Sequence, residues 1–590
     1  MTSLLQLLTE KTQNAFEAND LDSNLGTVRV SDRPDLAQFQ CNGAMAAAKQ
    51  AGKNPRAIAA DIVSKLEKNE IFEKLEIAGP GFININVKPE ILYKYALKSL
   101  EVNLGVGNIG KGAKVIFDYG GPNVAKAMHV GHLRSAIIGE SLKRAYNFAG
   151  YDAIGDIHLG DWGTQMGMVI SELEIRHPDW PYFRENQTDF PKDSPITLQD
   201  LEEIYPAASA ACKQNEDRLE QARQATVELQ NGRPGYRALW QHMVDVSIEA
   251  IKANYEKLNV HFELWNGEAS VHDLISPMVK KLKEDNLAVA SDGALVMHVA
   301  RDDDSKEIPP LILYKKDGAV MYGTTDLATL LEREKYFQPE KVTYVVDKRQ
   351  NLHFEQVFRA AKASNITPGK TDLTFIGYGT MNGTDGKPFK TREGGVMKLE
   401  DLIKTSHEKA LQKMSEANIT GKFDEKQTND IAHKVSIAAI KFADLQNHPN
   451  SDYIFDLDRM TSFEGKTGPY LLYQTVRINS LLEKADSDGI QSHNNALPNE
   501  ALELQEIELL LHITQFPENS LGVVKSNSPH ILADYLYKLA QNFSSFYSNC
   551  HIMSEKNTQR RQFRLMLCQM TRAQMIAGLG ILGIDVPEKM

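Results

Sequence analysis

An α/β protein in three parts is expected from this chain: a central domain with a doubly wound parallel sheet and a helical insertion, a small α/β domain ahead of it, and an all-α bundle behind it. Three features carry that expectation. Strand, helix and strand follow one another between Lys114 and His158, a βαβ unit that sets two strands parallel in one sheet. Charged helical patterning replaces the alternation from about residue 170 to 290, as in Glu216-Asp217-Arg218-Leu219-Glu220-Gln221-Ala222. After about residue 400 the strand patterns disappear and helical ones run to Met590.

Taken in order, the first twenty residues read as an amphipathic helix rather than a signal peptide, since acidic residues follow a short apolar stretch that has no basic flank. Pro55 to Val63 has helical spacing, and Phe82-Ile83-Asn84-Ile85-Asn86-Val87 alternates as a half-buried strand does. The glycines between Gly105 and Gly112 mark a linker. The next strand, Val115-Ile116-Phe117, stops at Asp118 and a Gly120-Gly121-Pro122-Asn123 breaker. A helix over about Val130–Ala149 carries Leu133, Ile137, Leu142, Ala145 and Phe148 on one face, and Gly150 ends it. Asp152 to His158 is the returning strand. Beyond the insertion, strand signals resume in the sheet domain at Gly293–Val299, Leu311–Tyr314, Lys341–Val346 and Leu373–Gly379. The expected domains are 1–110, 111–400 and 401–590.

At 590 residues the chain is too long for a single core, and its net charge of −12 argues against a bulk nucleic-acid binder while leaving room for a local basic face. Arg560, Arg561, Arg564 and Arg572 are candidates for such a face. No apolar run approaches the roughly 20 residues that span a bilayer. The four cysteines, Cys41, Cys212, Cys550 and Cys568, form no CxxC pair. That usage suits a reducing cytoplasm and gives no structural zinc site.

Three groups of residues carry chemistry. His129-Val130-Gly131-His132 opens a helix, where free amides and the helix dipole attract anions, and two imidazoles can donate to phosphate oxygens. Their spacing is not that of a zinc-binding HExxH helix. Lys387-Pro388-Phe389-Lys390-Thr391 follows a strand and can reach nucleotide phosphates, although a solvated basic turn reads the same way in isolation. Asp118, Asn123, Tyr322, Asp326 and Gln350 form the third group. Asp118 and Gln350 end strands, at the edge where open α/β sheets bind ligands. Tyr322 and Asp326 stand one helical turn apart. Two carboxylates near one pocket point to a cationic substrate.

Together these motifs resemble the class I arginyl-tRNA synthetases. Asp118 through Ser135 is similar to that family's form of the HIGH signature, and His158-Leu159-Gly160-Asp161-Trp162-Gly163-Thr164-Gln165 is characteristic of it. Phe39-Gln40-Cys41-Asn42 and Ala78-Gly79-Pro80-Gly81-Phe82 resemble its N-terminal domain. Phe463-Glu464-Gly465, Gly468 to Tyr473 and the ending Leu582 to Met590 resemble its helical anticodon-binding domain.

The resemblance implies a Rossmann-like catalytic domain and a two-step reaction: arginine and ATP give arginyl-adenylate, and the cognate tRNA then takes the arginine on its terminal adenosine. It implies that His129, His132 and Lys390 serve catalysis, with Gly131 and Lys387 at ATP. It implies that Asp118, Asn123, Tyr322, Asp326 and Gln350 hold arginine. Mg²⁺ accompanies ATP, with no dedicated metal site, and the enzyme is expected to be a cytoplasmic monomer that needs tRNA for activation. The second signature departs from KMSKS, because Lys390 matches a lysine but the serines are missing. Lys126 is therefore expected to supply part of the phosphate-directed charge. A tRNA-independent adenylate-forming enzyme and a non-catalytic tRNA-binding relative are the competing readings. The flanking domains oppose the first, and intact His129, His132 and Lys390 oppose the second.

Overall fold

The computed structural model describes residues 3–316, 318–389, 397–490 and 497–590. The chain divides into two compact units, one of residues 1–109, 413–442 and 461–590, the other of residues 110–412 and 443–460.

In the first unit, β1 (Val28–Val30), β2 (Phe39–Cys41), β3 (Phe72–Ala78) and β4 (Phe82–Val87) form an antiparallel sheet in the order β1-β2-β4-β3. Helix Leu4–Glu17 begins at a capping box in which the Ser3 hydroxyl and the Gln6 side chain satisfy each other's backbone amides. The remainder of this unit is helical, including Gly468–Ser487, Leu504–Ile513, His530–Asn549 and Thr558–Ile581. Tyr93 packs on Phe563 with ring centroids 5.5 Å apart, and the Gln574 amide donates to the Ser99 hydroxyl, so the N-terminal and C-terminal stretches share this unit's interior.

The expected basic face does not survive here. Arg560 and Arg564 stand one turn apart on Thr558–Ile581 and turn inward onto Glu506, which is fully buried, with pair distances of 2.7 Å. Glu503 and Glu555 complete the network around Arg564. Two guanidiniums at a desolvated carboxylate are a structural ion cluster. Arg572 remains exposed, but it lines a groove shared with Glu483 and Asp486.

The second unit holds the parallel sheet. Its strands are β5 (Lys114–Tyr119), β6 (Asp152–Asp156), β10 (Lys341–Asp347) and β11 (Asp372–Tyr378), in the order β11-β10-β5-β6 and all parallel. Chain order reverses between β5 and β10, so the cleft beyond the carboxyl ends of these two strands is the switch point of the sheet. Helix Leu133–Phe148 crosses from β5 to β6 and is almost entirely buried. Five helices between Thr164 and Glu284 make up the insertion.

The strand signals just after the insertion take a different partner from the one expected. β7 (Val289–Ser291), β8 (Ala294–Met297) and β9 (Leu311–Tyr314) form a separate antiparallel sheet. Asp292 and Gly293 both have positive φ, 49° and 83°. A two-residue turn of that kind folds a strand straight back on its neighbour and rules out a parallel crossover. A core of Ile116, Leu313, Leu327, Leu330, Val342 and Val357 joins this small sheet to the parallel one.

Two short strands, β12 (Met381–Asn382) and β13 (Tyr453–Ile454), pair in parallel, so strand structure continues past residue 400. Among the described residues no helix is long and apolar enough to cross a membrane.

Candidate active site

The turn after β5 is shaped by close backbone approach. Gly120 has φ of 73°, its amide donates to the Ser135 hydroxyl oxygen at 2.8 Å, and its carbonyl accepts the Tyr255 hydroxyl. A Cβ on Gly121 would meet the carbonyl oxygens of Ile157 and His158 at 2.7 and 2.6 Å, which leaves room for glycine alone. Asn123 pairs in bridge fashion with Gly160, and Ala125 takes a left-handed φ of 62° with its amide on the Ser247 hydroxyl. The chain thus bends sharply between Asn123 and Lys126, both exposed.

His129 and His132 then form a reciprocal cap. The Gly131 amide donates to His129 Nδ1 at 3.0 Å, and the His129 amide donates to His132 Nδ1 at 3.2 Å. A ring nitrogen that accepts carries no proton, so each neutral imidazole keeps its hydrogen on Nε2. Burial lowers both pKa values, Lys126 adds repulsion at each ring and His129 adds it at His132, which falls to about 3. Both rings are therefore neutral single donors at pH 7, held 4.1 Å apart. A Cβ on Gly131 would meet the His129 ring at 2.7 Å, so this glycine makes room for the capping imidazole as well as for a ligand.

A cavity of about 780 Å³ opens beside this loop, lined by Lys126, Met128, His129, Glu202, Tyr205 and Lys398 among others. Lys387 is exposed on a turn in which Gly383 and Lys387 are hydrogen-bonded at 2.7 Å. Lys390 and Thr391, with the rest of 390–396, lie outside the described residues.

The second half of the site surrounds helix Tyr322–Tyr336. Tyr322, in its first turn, is 69% exposed. Asp326, one turn later, is mostly buried and lies 2.6 Å from His353 Nε2. That hydrogen bond, against the cost of burial, raises the His353 pKa. Gln350 is exposed and precedes helix Asn351–Ala363, which carries His353. Arg333 lies further along the same helix as Tyr322 and is fully buried. Its guanidinium is 2.6 Å from both Asp118 and Asp156 and 3.0 Å from the Tyr344 hydroxyl. Burial alone would lower its pKa, but Tyr344, Asp118 and Asp156 raise it well above the ordinary value. Asp118 is thus already paired within the protein. One guanidinium cannot neutralise two carboxylates, however, and the residual negative charge suits a second cation.

Two further carboxylates were not among the sequence candidates. Segment 264–269 pairs with 156–161 through the bridges Asp156–Leu264 and Leu159–Gly267, and the Glu268 amide donates to the Leu159 carbonyl at 3.0 Å. Gly267 permits this, since a Cβ there would stand 2.5 Å from the Asp161 carboxylate, which accepts the Ala269 amide at 3.0 Å. Burial raises Asp161 to about 6. Burial first, then Asp161 and Asp326 against the pull of His158, raises Glu268 to about 7. Asp161 and Asp326, the latter already held by His353, therefore both press on Glu268 beside Tyr322. The sequence held one hint, in that Asp161 lies in the His158–Gln165 motif. Glu268 opens a single 3-10 turn, Glu268–Val271, too short to show a period in the sequence, and tertiary pairing delivers it.

A parallel sheet with a histidine-capped turn at its switch point, an insertion in the crossover and a helical appendage is the arrangement of a class I aminoacyl-tRNA synthetase. Comparison with known families agrees: residues 99–457 match the family "tRNA synthetases class I (R), catalytic domain", 471–590 the "DALR anticodon binding domain" and 2–87 the "Arginyl tRNA synthetase N terminal domain". The chain is 47% identical over 593 residues to the arginine–tRNA ligase of Alkaliphilus oremlandii and 46% identical over 600 residues to that of Agathobacter rectalis, with 100% of each chain covered. Among solved structures it is similar to the arginyl-tRNA synthetase of Plasmodium falciparum (TM-score 0.83, 27% identity, 100% of both chains). It also shares its fold with the Thermus thermophilus enzyme (TM-score 0.78, 21% identity, 100% of both chains). The chain belongs to the arginyl-tRNA synthetase family.

Proposed function

We propose that this chain is an arginine–tRNA ligase that activates arginine with ATP and passes it to the terminal adenosine of its cognate tRNA, acting as a cytoplasmic monomer. The observation that carries the substrate reading is the acidic group at Asp161, Glu268 and Asp326. Burial raises the pKa values of Asp161 and Glu268 toward neutrality, and a guanidinium supplies the cation that would ionise them, with a fork of donors that matches carboxylate geometry. Tyr322, Asn123 and Gln350 add neutral partners around it. The residual charge at Asp118 and Asp156 suits the α-ammonium group.

In the first step the arginine carboxylate attacks the α-phosphate of ATP. A carboxylate is ionised at pH 7, so this step needs no general base. Catalysis is positioning together with stabilisation of charge on phosphate oxygens. The Nε2–H groups of His129 and His132 donate to those oxygens without exchanging a proton. Lys126, close enough to lower both histidine pKa values, and Lys387 supply full positive charge. Lys390 is assigned the same role from its place in the second signature. Mg²⁺ enters with ATP. Arg333 pairs with two of the three side chains disposed for a metal among the described residues, Asp118, Asp156 and His158, and phosphate oxygens would supply many of the ion's ligands. In the second step the tRNA 2′-hydroxyl attacks the activated carbonyl and AMP leaves.

ATP–pyrophosphate exchange with cognate arginine tRNA present tests the reading. Arginine is expected to support exchange and lysine is not. Exchange with lysine at a comparable rate, or none with arginine, overturns it.

A further inference from the structure

We propose that Arg134 and Asp444 are positioning residues that set the distance between the His129–His132 pair and the stem of the loop that bears Lys387. The inference rests on the reading of those groups as the ATP-phosphate contacts.

Arg134 follows His132 by two residues and is 2% exposed, while Asp444 is 1% exposed. The guanidinium grips Asp444 with two donors, Nε at 2.9 Å and Nη2 at 3.3 Å. Its remaining nitrogen, Nη1, donates to the Ser451 carbonyl at 2.8 Å, and its plane lies over the Tyr453 ring at 5.0 Å. One buried side chain thus clamps the segment from Asp444 to Tyr453 to the first turn of the histidine helix.

That segment in turn holds the stem of the second loop. Asp452 accepts the Thr380 amide at 2.7 Å, β13 pairs with β12, and the Phe455 amide donates to Asn382 at 2.8 Å. The stem closes as Asn382 bridges Pro388 and the Phe389 amide donates to Met381 at 3.0 Å, with Phe389 packed against Phe455. On the far side of the loop, Met397 and Leu399 bond to Val130 and Met128, flanking a bridge between His129 and Lys398. The two ends of the loop are therefore tied to one stretch, Met128 to Arg134, the near end through the Asp444–Tyr453 segment. The far end meets this stretch through backbone hydrogen bonds. The near end is held through the Arg134 guanidinium, whose planar fork reaches a carboxylate and a carbonyl at once, as a lysine cannot. A buried pair contributes little net stability compared with an apolar replacement, which leaves geometry as its distinctive contribution.

The test measures tRNA-dependent ATP–pyrophosphate exchange for wild type, Arg134→Gln, Arg134→Lys, Asp444→Asn and the apolar double variant Arg134→Met/Asp444→Leu, with thermal midpoints. The KM for ATP is expected to rise at least tenfold in every variant, with the KM for arginine within threefold of wild type. The double variant should recover its thermal midpoint but not its KM for ATP. Recovery of both, or equal rises in both KM values, would reduce the pair to a stabilising contact and overturn the proposal. Should Arg134→Gln fail to fold, Arg134→Lys and Asp444→Asn decide between the same outcomes. Absence of arginine-dependent exchange in wild type would instead sink the underlying functional reading.

Discussion

Arg333 and Asp118 form a 2.6 Å ion pair at the carboxyl end of β5, and the same guanidinium holds Asp156 at the end of β6. A resident arginine therefore organises the carboxylates beside which a substrate arginine is proposed to bind. Arg333→Met should destabilise the folded chain by about 3–5 kcal/mol, because two buried carboxylates lose the guanidinium they share. The loss should shrink as pH falls. Unpaired buried carboxyls have raised pKa values, so the folded state takes up more protons than the unfolded one and gains stability at low pH. Urea unfolding at pH 5 and pH 8 checks both the size and the sign.

Glu268 gives the arginine site a pH dependence. Its pKa near 7 keeps it partly protonated in the free enzyme, and a bound guanidinium favours the ionised form. The KM for arginine should fall as pH rises from 6 to 8, with a slope approaching tenfold per unit below the pKa. Glu268→Gln should abolish the slope and raise the KM at pH 8 by roughly 10–100-fold. A slope retained in the variant would assign the titration elsewhere.

Lys126→Ala should lower the rate of pyrophosphate exchange by about 10²–10³-fold, the usual cost of removing one donor to developing charge. The KM for arginine should stay within threefold. An unchanged exchange rate would remove Lys126 from the phosphate site.

Gly131→Ala places a methyl group 2.7 Å from the His129 ring. Its expected effect is a displaced imidazole, with loss of the cap to Gly131 and a rise of roughly tenfold or more in the KM for ATP, since misplacement of this order costs about 10²-fold in rate. The His129 Nε2 proton, observed by NMR with and without ATP, reports the displacement directly.

The depressed histidine pKa values carry a stability prediction of their own. The unfolded imidazole titrates near 6.5 and folded His132 near 3, so the unfolded state binds more protons between these values. This contribution is complete above pH 6.5 and is lost as pH falls toward 3. His132→Asn, which retains a side-chain acceptor without the titration, should flatten the acid limb of the stability profile.

The parallel sheet was readable in the sequence because strand, helix and strand follow one another from Lys114 to His158 and because β5 and β10 are largely apolar runs closed at an Asp or a polar turn. The histidine cap was readable because its residues are adjacent. The strand signals at Gly293–Val299 and Leu311–Tyr314 were legible as strands, but their separate antiparallel sheet was not, since strand composition alone does not name a partner. Glu268 was illegible for a deeper reason: its place depends on the pairing of 264–269 with 156–161, a contact made across the whole insertion. Arg560 and Arg564 misled in the opposite direction. Arginines one turn apart look like a solvated face until Glu503 and Glu506 are brought beneath them by folding. Arg333 likewise belongs to the site only because its helix lays Tyr322, Asp326 and itself along neighbouring faces.

The central claim is that Asp326 and its neighbouring carboxylates select a guanidinium. Citrulline, a neutral isostere of arginine, tests it most directly. In tRNA-dependent exchange the wild-type ratio of kcat/KM for arginine over citrulline should be on the order of 10⁴, as expected when a mismatch leaves buried polar groups unpaired. In Asp326→Asn that ratio should fall to tens or less. A ratio that Asp326→Asn leaves unchanged would contradict the assignment of this acidic group as the arginine site.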